Sequence, residues 1–317
     1  LGGSVIERSL RFNSEDNTEL TRTPSGAGSR TTWTLSFWAK ISDDDLGSHG
    51  FLFSTGANSS NKVQINLESS NRLTFEAKSG GSTQAYIRPS SHIRDINAWY
   101  HFVVRVDTTN GTSSNRVKIY INGTQQTDLA NSDYPSQNTE FEWNKAQEHN
   151  IGKRTYSNSF FNGYLTEINF IDGYAYDSTY FGYTDFQTGL WRPKRYEGTY
   201  GTNGFHLDFS DNSSTSALGK DTSGNGNDWS VNNFSVSSGK DGDSFIDTPN
   251  NNFSTLNSLV GGITLSDGNL TRSGGAEKCM ATFEALNGKY YFEYKAEDSN
   301  QNHGIGVCQI DTDQRDR

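Results

Sequence analysis

Apolar and polar side chains alternate along the chain up to about Tyr176. Trp33, Leu35, Phe37 and Ala39 alternate with Thr34, Ser36, Trp38 and Lys40. Val63, Ile65 and Leu67 do the same against Gln64, Asn66 and Glu68, and Leu73 with Phe75 continues the series. Phe102, Val104 and Val106 form another run, followed by Val117, Ile119 and Ile121, then by Leu165, Ile168 and Phe170. A period of two puts one set of side chains on each face of a strand. Gly80-Gly81, Asn110-Gly111 and Asn122-Gly123 break the runs, and Asn-Gly suits turns that need positive φ. No stretch combines a helical period with helix caps. Short strands at this spacing predict an all-β chain folded as an antiparallel sandwich.

The composition changes between 186 and 260. Gly, Asn, Ser and Asp dominate in DTSGNGND (221–228) and SSGKDGD (237–243). Phe205, Leu207 and Phe209 still alternate, as do Trp229 and Val231, so this is no plain linker. Strand-like runs return at Met280 to Phe283, Tyr290 to Tyr294 and Gly304 to Ile310. The expected organisation is a first sandwich over 1–185, a Gly/Asn/Ser-rich segment over 186–260, and the start of a second sandwich over 261–317. So short a stretch cannot easily bury a sandwich core alone, so the second domain is expected to be incomplete.

The chain has six Trp, 15 Tyr and 19 Phe. Each such ring removes ~150–250 Å² from water, enough together for a sizeable core. A net charge of -10 over 317 residues argues against disorder and excludes a general nucleic-acid binder, which needs a basic stripe. No apolar run approaches the ~18 residues of a membrane-spanning helix, so no membrane insertion is expected. No signal peptide is visible. The first residue is not Met, and the true start is expected to be missing or processed. Two cysteines, Cys279 and Cys308, exclude a disulfide-rich scaffold and a CxxC metal site. They read as reduced, buried thiols, with a bridge between them as the alternative.

Several segments resemble a known family in order. SLRFN (9–13) resembles the opening strand, and WTLSFWAKI (33–41) the inner strand, of the laminin-G-like and pentraxin-like concanavalin A-like sandwiches. WYHFVVRVD (99–107), VKIYINGT (117–124), NIGKR (150–154) and FFNGYLTEINFIDGYAY (160–176) resemble the strands that follow. The resemblance implies a jelly-roll β-sandwich. LDFSD and LGKDTSGNGNDWSV (within 207–231) resemble a strand pair that opens many laminin-G-like domains. Here the pair follows the closing strand, so 204–234 is expected to fold back and complete the first sandwich. GKYYFEYKAED (288–298) and HGIGVCQI (303–310) resemble the first half of a SPRY domain. The module order, with FIDTPNNNFSTLN (245–257), resembles structural proteins of marine bacteriophages. These resemblances imply a non-enzymatic virion protein, a tail fibre or other surface appendage. It would be assembled in the host cytoplasm, displayed as a homo-oligomer on the particle surface, and bind host-surface glycans. The alternatives are a capsid decoration or adaptor protein that packs only on other virion proteins, a secreted bacterial adhesin, and a glycan-active enzyme.

Glycan hydrolysis needs two carboxyl groups ~5–5.5 or ~6.5–9.5 Å apart. The nearest acidic strings are Glu140/Glu142 and Glu293/Glu297. No Glu-x-Asp-x-x-Glu, P-loop or dinucleotide signature occurs, so no enzyme is expected and no cofactor is required. Calcium is the candidate ion, because hard cations take roughly six to eight oxygen ligands. Asp221, Asn225 and Asp228 supply oxygens in a glycine-rich loop, and Asp43 and Asp45 in another. The family resemblance implies an acidic pair before the closing strand, but here that place reads Thr166-Glu167. Glycans stack their apolar faces on aromatic rings. Trp143, Tyr156, Tyr134 and Trp191 lie in or near polar loops and are the candidate carbohydrate contacts, whereas Trp33, Trp38 and Trp99 are assigned to the core.

Overall fold

The structure is a computed structural model that describes residues 4–42, 46–68, 71–259, 263–274, 278–283, 289–296 and 305–306. The chain divides into two compact units, Leu1–Phe283 and Glu284–Arg317. The strands of the first unit are β1 (Ser9–Phe12), β2 (Glu19–Arg22), β3 (Thr32–Ile41), β4 (Phe51–Asn58), β5 (Asn61–Glu68), β6 (Arg72–Ser79), β7 (Ser82–Pro89), β8 (Tyr100–Asp107), β9 (Val117–Ile121) and β10 (Thr124–Gln125). They continue with β11 (Leu129–Asp133), β12 (His149–Ile151), β13 (Gly163–Asp172), β14 (Gly182–Thr184), β15 (Trp191–Pro193), β16 (Phe205–Leu207), β17 (Ser230–Asn232), β18 (Ser244–Phe245), β19 (Thr264–Ser266) and β20 (Thr271–Ser273).

Two large antiparallel sheets form. Sheet A runs β10-β9-β8-β3-β13-β1-β18, and sheet B runs β11-β7-β6-β5-β4-β12-β2-β17. The alternating residues of the long strands share one core: Trp33, Leu35 and Phe37 from sheet A meet Val63, Ile65 and Phe75 from sheet B, all with no exposure. The segment 204–234 lies on this sandwich. β16 pairs with β13 through Phe205 and Leu207, on the same edge that β1 occupies further along. β17 pairs with β2, and Trp229 enters the same core. Glu167 marks the bulge that separates the two pairings on β13; its φ is +50°. The outermost strands are short. β10 and β18 have two residues each, β17 has three, and β11 carries a bulge between Leu129 and Asn131.

The outer face of sheet A is covered. Phe181 and Tyr196 pack on Val103, Tyr120 and Ile171. The hairpin β14–β15 and β18 bring Trp191 and Phe245 against Trp38, Trp99 and Tyr164. Two buried cations beneath this cover are paired. Lys40 Nζ donates to Asp247 Oδ2 at 2.9 Å, Asn252 Oδ1 at 2.9 Å and the Phe253 carbonyl at 2.7 Å. Arg11 pairs with Asp243 at 3.0 Å.

Of the strands expected near the C-terminal end of this unit, Met280 to Phe283 forms only one bridge, Ala281 to Leu256. In the second unit the described residues 289–296 form no strand; Tyr291 is 83% exposed there. Most of 303–310, including Cys308, lies outside the described residues. Cys279 is a free, half-buried thiol rather than a buried one. Among the described residues no helix is long and apolar enough to cross a membrane.

Candidate functional site

Sheet B presents the other broad outer face, where Gln64, Asn66, Glu76 and Asn150 are buried among their neighbours and Tyr86 and Tyr156 are half-buried. Its side chains are those that alternate with the core set. Tyr86 on β7, Glu76 on β6, Gln64 on β5, Ser54 on β4 and Asn150 on β12 lie in register across the strands. Glu76 is the centre of a polar cluster. It accepts from Lys62 at 2.7 Å and Gln64 at 2.8 Å, and pairs with Lys78 at 3.2 Å. To one side, the Tyr86 hydroxyl donates to Glu68 at 2.7 Å, and Arg88 lies over its ring at 5.5 Å. Burial and the Glu68 carboxylate push the Tyr86 hydroxyl up to about 12, so it stays a donor at neutral pH. To the other side, the segment after β12 crosses the face. Ser54 Oγ holds it by donating to the Lys153 carbonyl at 2.6 Å. This crossing delivers Tyr156, whose hydroxyl donates to Gln64 at 3.3 Å. Tyr86 on β7 and Tyr156 from the segment after β12 thus flank the cluster.

The face also holds buried polar atoms with no hydrogen-bond partner. Three are donors, the Nε groups of Arg72, Arg88 and Arg154, and three are acceptors, Oδ1 of Asn66, Asn131 and Asn150. Buried polar atoms are ordinarily paired, so this concentration on one face is unusual. Arg154 lies over the rings of Phe51 and Tyr156 at 4.7 and 4.6 Å.

A family model described as the concanavalin A-like lectin/glucanases superfamily, of the laminin-G type, matches residues 13–176, just over half of the chain. The chain belongs to this superfamily. Among curated proteins none matches it in sequence. Several solved structures are similar. The native heptameric SAP-like pentraxin of Limulus polyphemus shares 16% identity over 56% of this chain and 81% of its own, with a TM-score of 0.39. Domains LG4-5 of the mouse laminin α1 chain share 11% identity over 61% of this chain and 48% of theirs, with a TM-score of 0.38. Domain 4 of the arabinanase AbnA of Geobacillus stearothermophilus, solved with arabinotriose, shares 17% identity over 47% and 64%, with a TM-score of 0.34. The chain therefore covers less than half of the laminin fragment and just under two thirds of the arabinanase domain.

In this concanavalin A-like chain, the residues singled out from sequence take different places. Tyr156 is on the sheet B face. Trp143 is not a surface ring: it is 1% exposed and packs among Trp33, Phe53, His149 and Phe170. The loop that carries it dips between the sheets at one end, so no sugar reaches it. Tyr134 follows edge strand β11 and packs on the main core, half-buried. Trp191 is wedged on the outer face of sheet A rather than offered to solvent. Its Nε1–H donates to His101 Nδ1 at 3.0 Å, and a Cβ at Gly123 or Gly182 would stand 2.4 Å from its ring. Tyr86, Arg88 and Arg154 were missed. Their signal was the alternation of Tyr86 and Arg88 with the inward Ala85 and Ile87.

Among the calcium candidates, Asp221, Asn225 and Asp228 share one hydrogen-bonded loop. Asp221 is buried and accepts from the N–H groups of His206, Ser223 and Asn227 and from the Ser223 hydroxyl, at 2.8–2.9 Å. Asn225 turns its amide N–H toward the carbonyls of Gly201 and Gly204, and Asp228 accepts from the Asp221 N–H. This loop is closed by its own hydrogen bonds, which engage both Asp221 oxygens and one oxygen of Asp228. Asp43 and Asp45 lie outside the described residues. Among the described residues no group of three His, Cys, Asp or Glu could hold a metal ion. At the Thr166-Glu167 site, Glu167 instead accepts from His206 Nε2 at 3.0 Å. Glu140 and Glu142 both face Arg30, at 2.7 and 3.8 Å. Glu297 lies outside the described residues.

Proposed function

We propose that the chain is a glycan-binding module that holds a saccharide across Tyr86 and Tyr156 on the outer face of sheet B. The observation that carries this reading is the coincidence of two flanking rings with unpartnered polar atoms of both kinds on one face. A hydroxyl both donates and accepts, so a polyhydroxylated ligand uses Arg and Asn groups together. The superfamily description names lectins and glucanases. Carboxylate spacing favours the binding role. Glu68 stands four residues along β5 from Gln64, which is in register with Glu76. That places the Glu68 and Glu76 backbones roughly 13 Å apart along the sheet, and the carboxylates turn opposite ways, Glu68 to Tyr86 and Arg88 and Glu76 to Lys62 and Lys78, which does not suit a glycosidase pair aimed at one bond.

In a glycan array followed by calorimetry, Tyr86→Ala and Tyr156→Ala should each weaken the best ligand about tenfold or more, as expected for central aromatic anchors. Unchanged affinity in both variants, or no binding by the parent chain to any glycan, would overturn the reading.

We further infer a surface appendage of a phage particle, of tail-fibre type, with a SPRY-like module beginning near residue 261. The order of the sandwich, the 245–257 run and the 288–310 segment supports it. Many copies on one particle would make weak single sites effective by raising local concentration. Neighbouring genes for capsid, portal and tail proteins are the expected finding.

A further inference from the structure

We propose that Arg154 receives an oxyanion of the ligand, so that the glycan held on sheet B is an acidic polysaccharide bearing carboxylate or sulfate groups. The proposal rests on the glycan reading above. Four other cations on this face already have a carboxylate partner. Lys62 and Lys78 pair with Glu76, Arg88 with Glu68, and Lys153 with Glu19. Arg154, among the described residues, has neither an ion pair nor a side-chain hydrogen bond; its Nε is buried and unpartnered. The side chain as a whole is half-buried, and the sheet supplies carboxylates to its neighbours but none to Arg154.

Geometry shows what would complete it. The rings of Phe51 and Tyr156 lie 4.7 and 4.6 Å from the guanidinium carbon and fix the plane of the group. A held guanidinium presents a rigid fork of N–H donors that matches the two oxygens of a carboxylate or sulfate. Asn66, in register with Phe51, adds an unpartnered Oδ1 beside it for a sugar hydroxyl. The face as a whole sets four carboxylates, Glu19, Glu68, Glu76 and Asp133, against six Lys and Arg side chains, although the chain carries a net charge of -10. A local positive field on an acidic molecule draws an anionic polymer to this face.

The test compares the full chain on two matched pairs: polygalacturonate against its carboxyl-reduced form, and dextran sulfate against dextran. The parent should bind at least one acidic member about tenfold tighter than its neutral counterpart, and added salt should shrink that ratio. Which pair shows the preference separates a carboxylate from a sulfate ligand. Arg154→Gln should bring the ratio toward one, and Arg154→Lys should restore it only in part, because an ammonium keeps the charge without the fork. Thermal unfolding of each variant checks the fold, and the salt dependence of the parent needs no variant. Equal binding of neutral and acidic members overturns the proposal and leaves the glycan reading standing. A parent that binds no member of either pair, while it binds neutral glycans on the array, has the same meaning. Absence of all glycan binding removes both.

Discussion

Replacing Lys40 by alanine is expected to destabilise the fold by about 3–5 kcal/mol, the range for removing one partner of a buried ion pair. Lys40 has no exposure, and Asp247 is 5% exposed. The three donors of the ammonium meet Asp247, Asn252 and Phe253. The other Asp247 oxygen accepts from Trp99 Nε1–H at 2.9 Å. Without Lys40, the carboxylate stays between the sheet and its cover with no counter-charge. Burial also lowers the pKa of Lys40, against the pull of Asp247, so much of the attraction is spent on desolvation. The double change Lys40→Met with Asp247→Leu should therefore regain most of the loss. Urea unfolding of the single and double variants checks this. Additive losses would mean that the two groups do not act as a pair. Because Asp247, Asn252 and Phe253 all lie on the segment that covers sheet A, faster proteolysis within 244–257 should accompany the single change.

Acidification should have a comparable effect. Between pH 6.5 and 4.5 the first unit is expected to lose about 4 kcal/mol, from roughly 1.4 kcal/mol per pH unit for each of two histidines. Burial pushes His101 down to about 3 and His149 down to about 4. The hydrogen bonds give the same direction. His101 Nδ1 accepts from Trp191 Nε1–H, and His149 Nε2 accepts from the Asn144 N–H at 3.0 Å. Neither donor can turn into an acceptor, so a proton on either nitrogen loses its bond. Both rings are neutral when folded and charge on unfolding below about 6.5, so the unfolded chain takes up protons and stability falls with pH. His206 is shifted the other way: burial opposes, but Glu167 prevails and raises its pKa. Its contribution is complete below the unfolded pKa and is lost at higher pH, outside this window. Denaturation at both pH values is the measurement, and His149→Gln should remove about half the slope. An unaltered slope in that variant would refute the assignment.

The long strands were legible because period-two alternation records which face is buried. β3, β8, β9 and β13 all follow it. Their partners were not, since register is a long-range property that no local window contains. Trp143 shows the corresponding error at the site. Its neighbours Glu142, Asn144 and Lys145 are polar, which reads as a surface loop, but one ring of that loop fills the end of the core. Tyr86 shows the reverse. It sits in a strand whose inward residues are Ala85 and Ile87, so the strand looks weakly apolar and its outward ring is easily passed over. Asp221 was recognised as an oxygen-rich position, but the N–H groups that engage it come from residues up to 15 positions away.

The short terminal strands of both sheets carry a consequence for crowding. A long flat edge offers a template for another chain to pair with. With two residues at β10 and β18, three at β17 and a bulge in β11, neighbouring molecules find almost no ladder to extend. Copies pressed side by side can then stay distinct instead of zipping into fibrils.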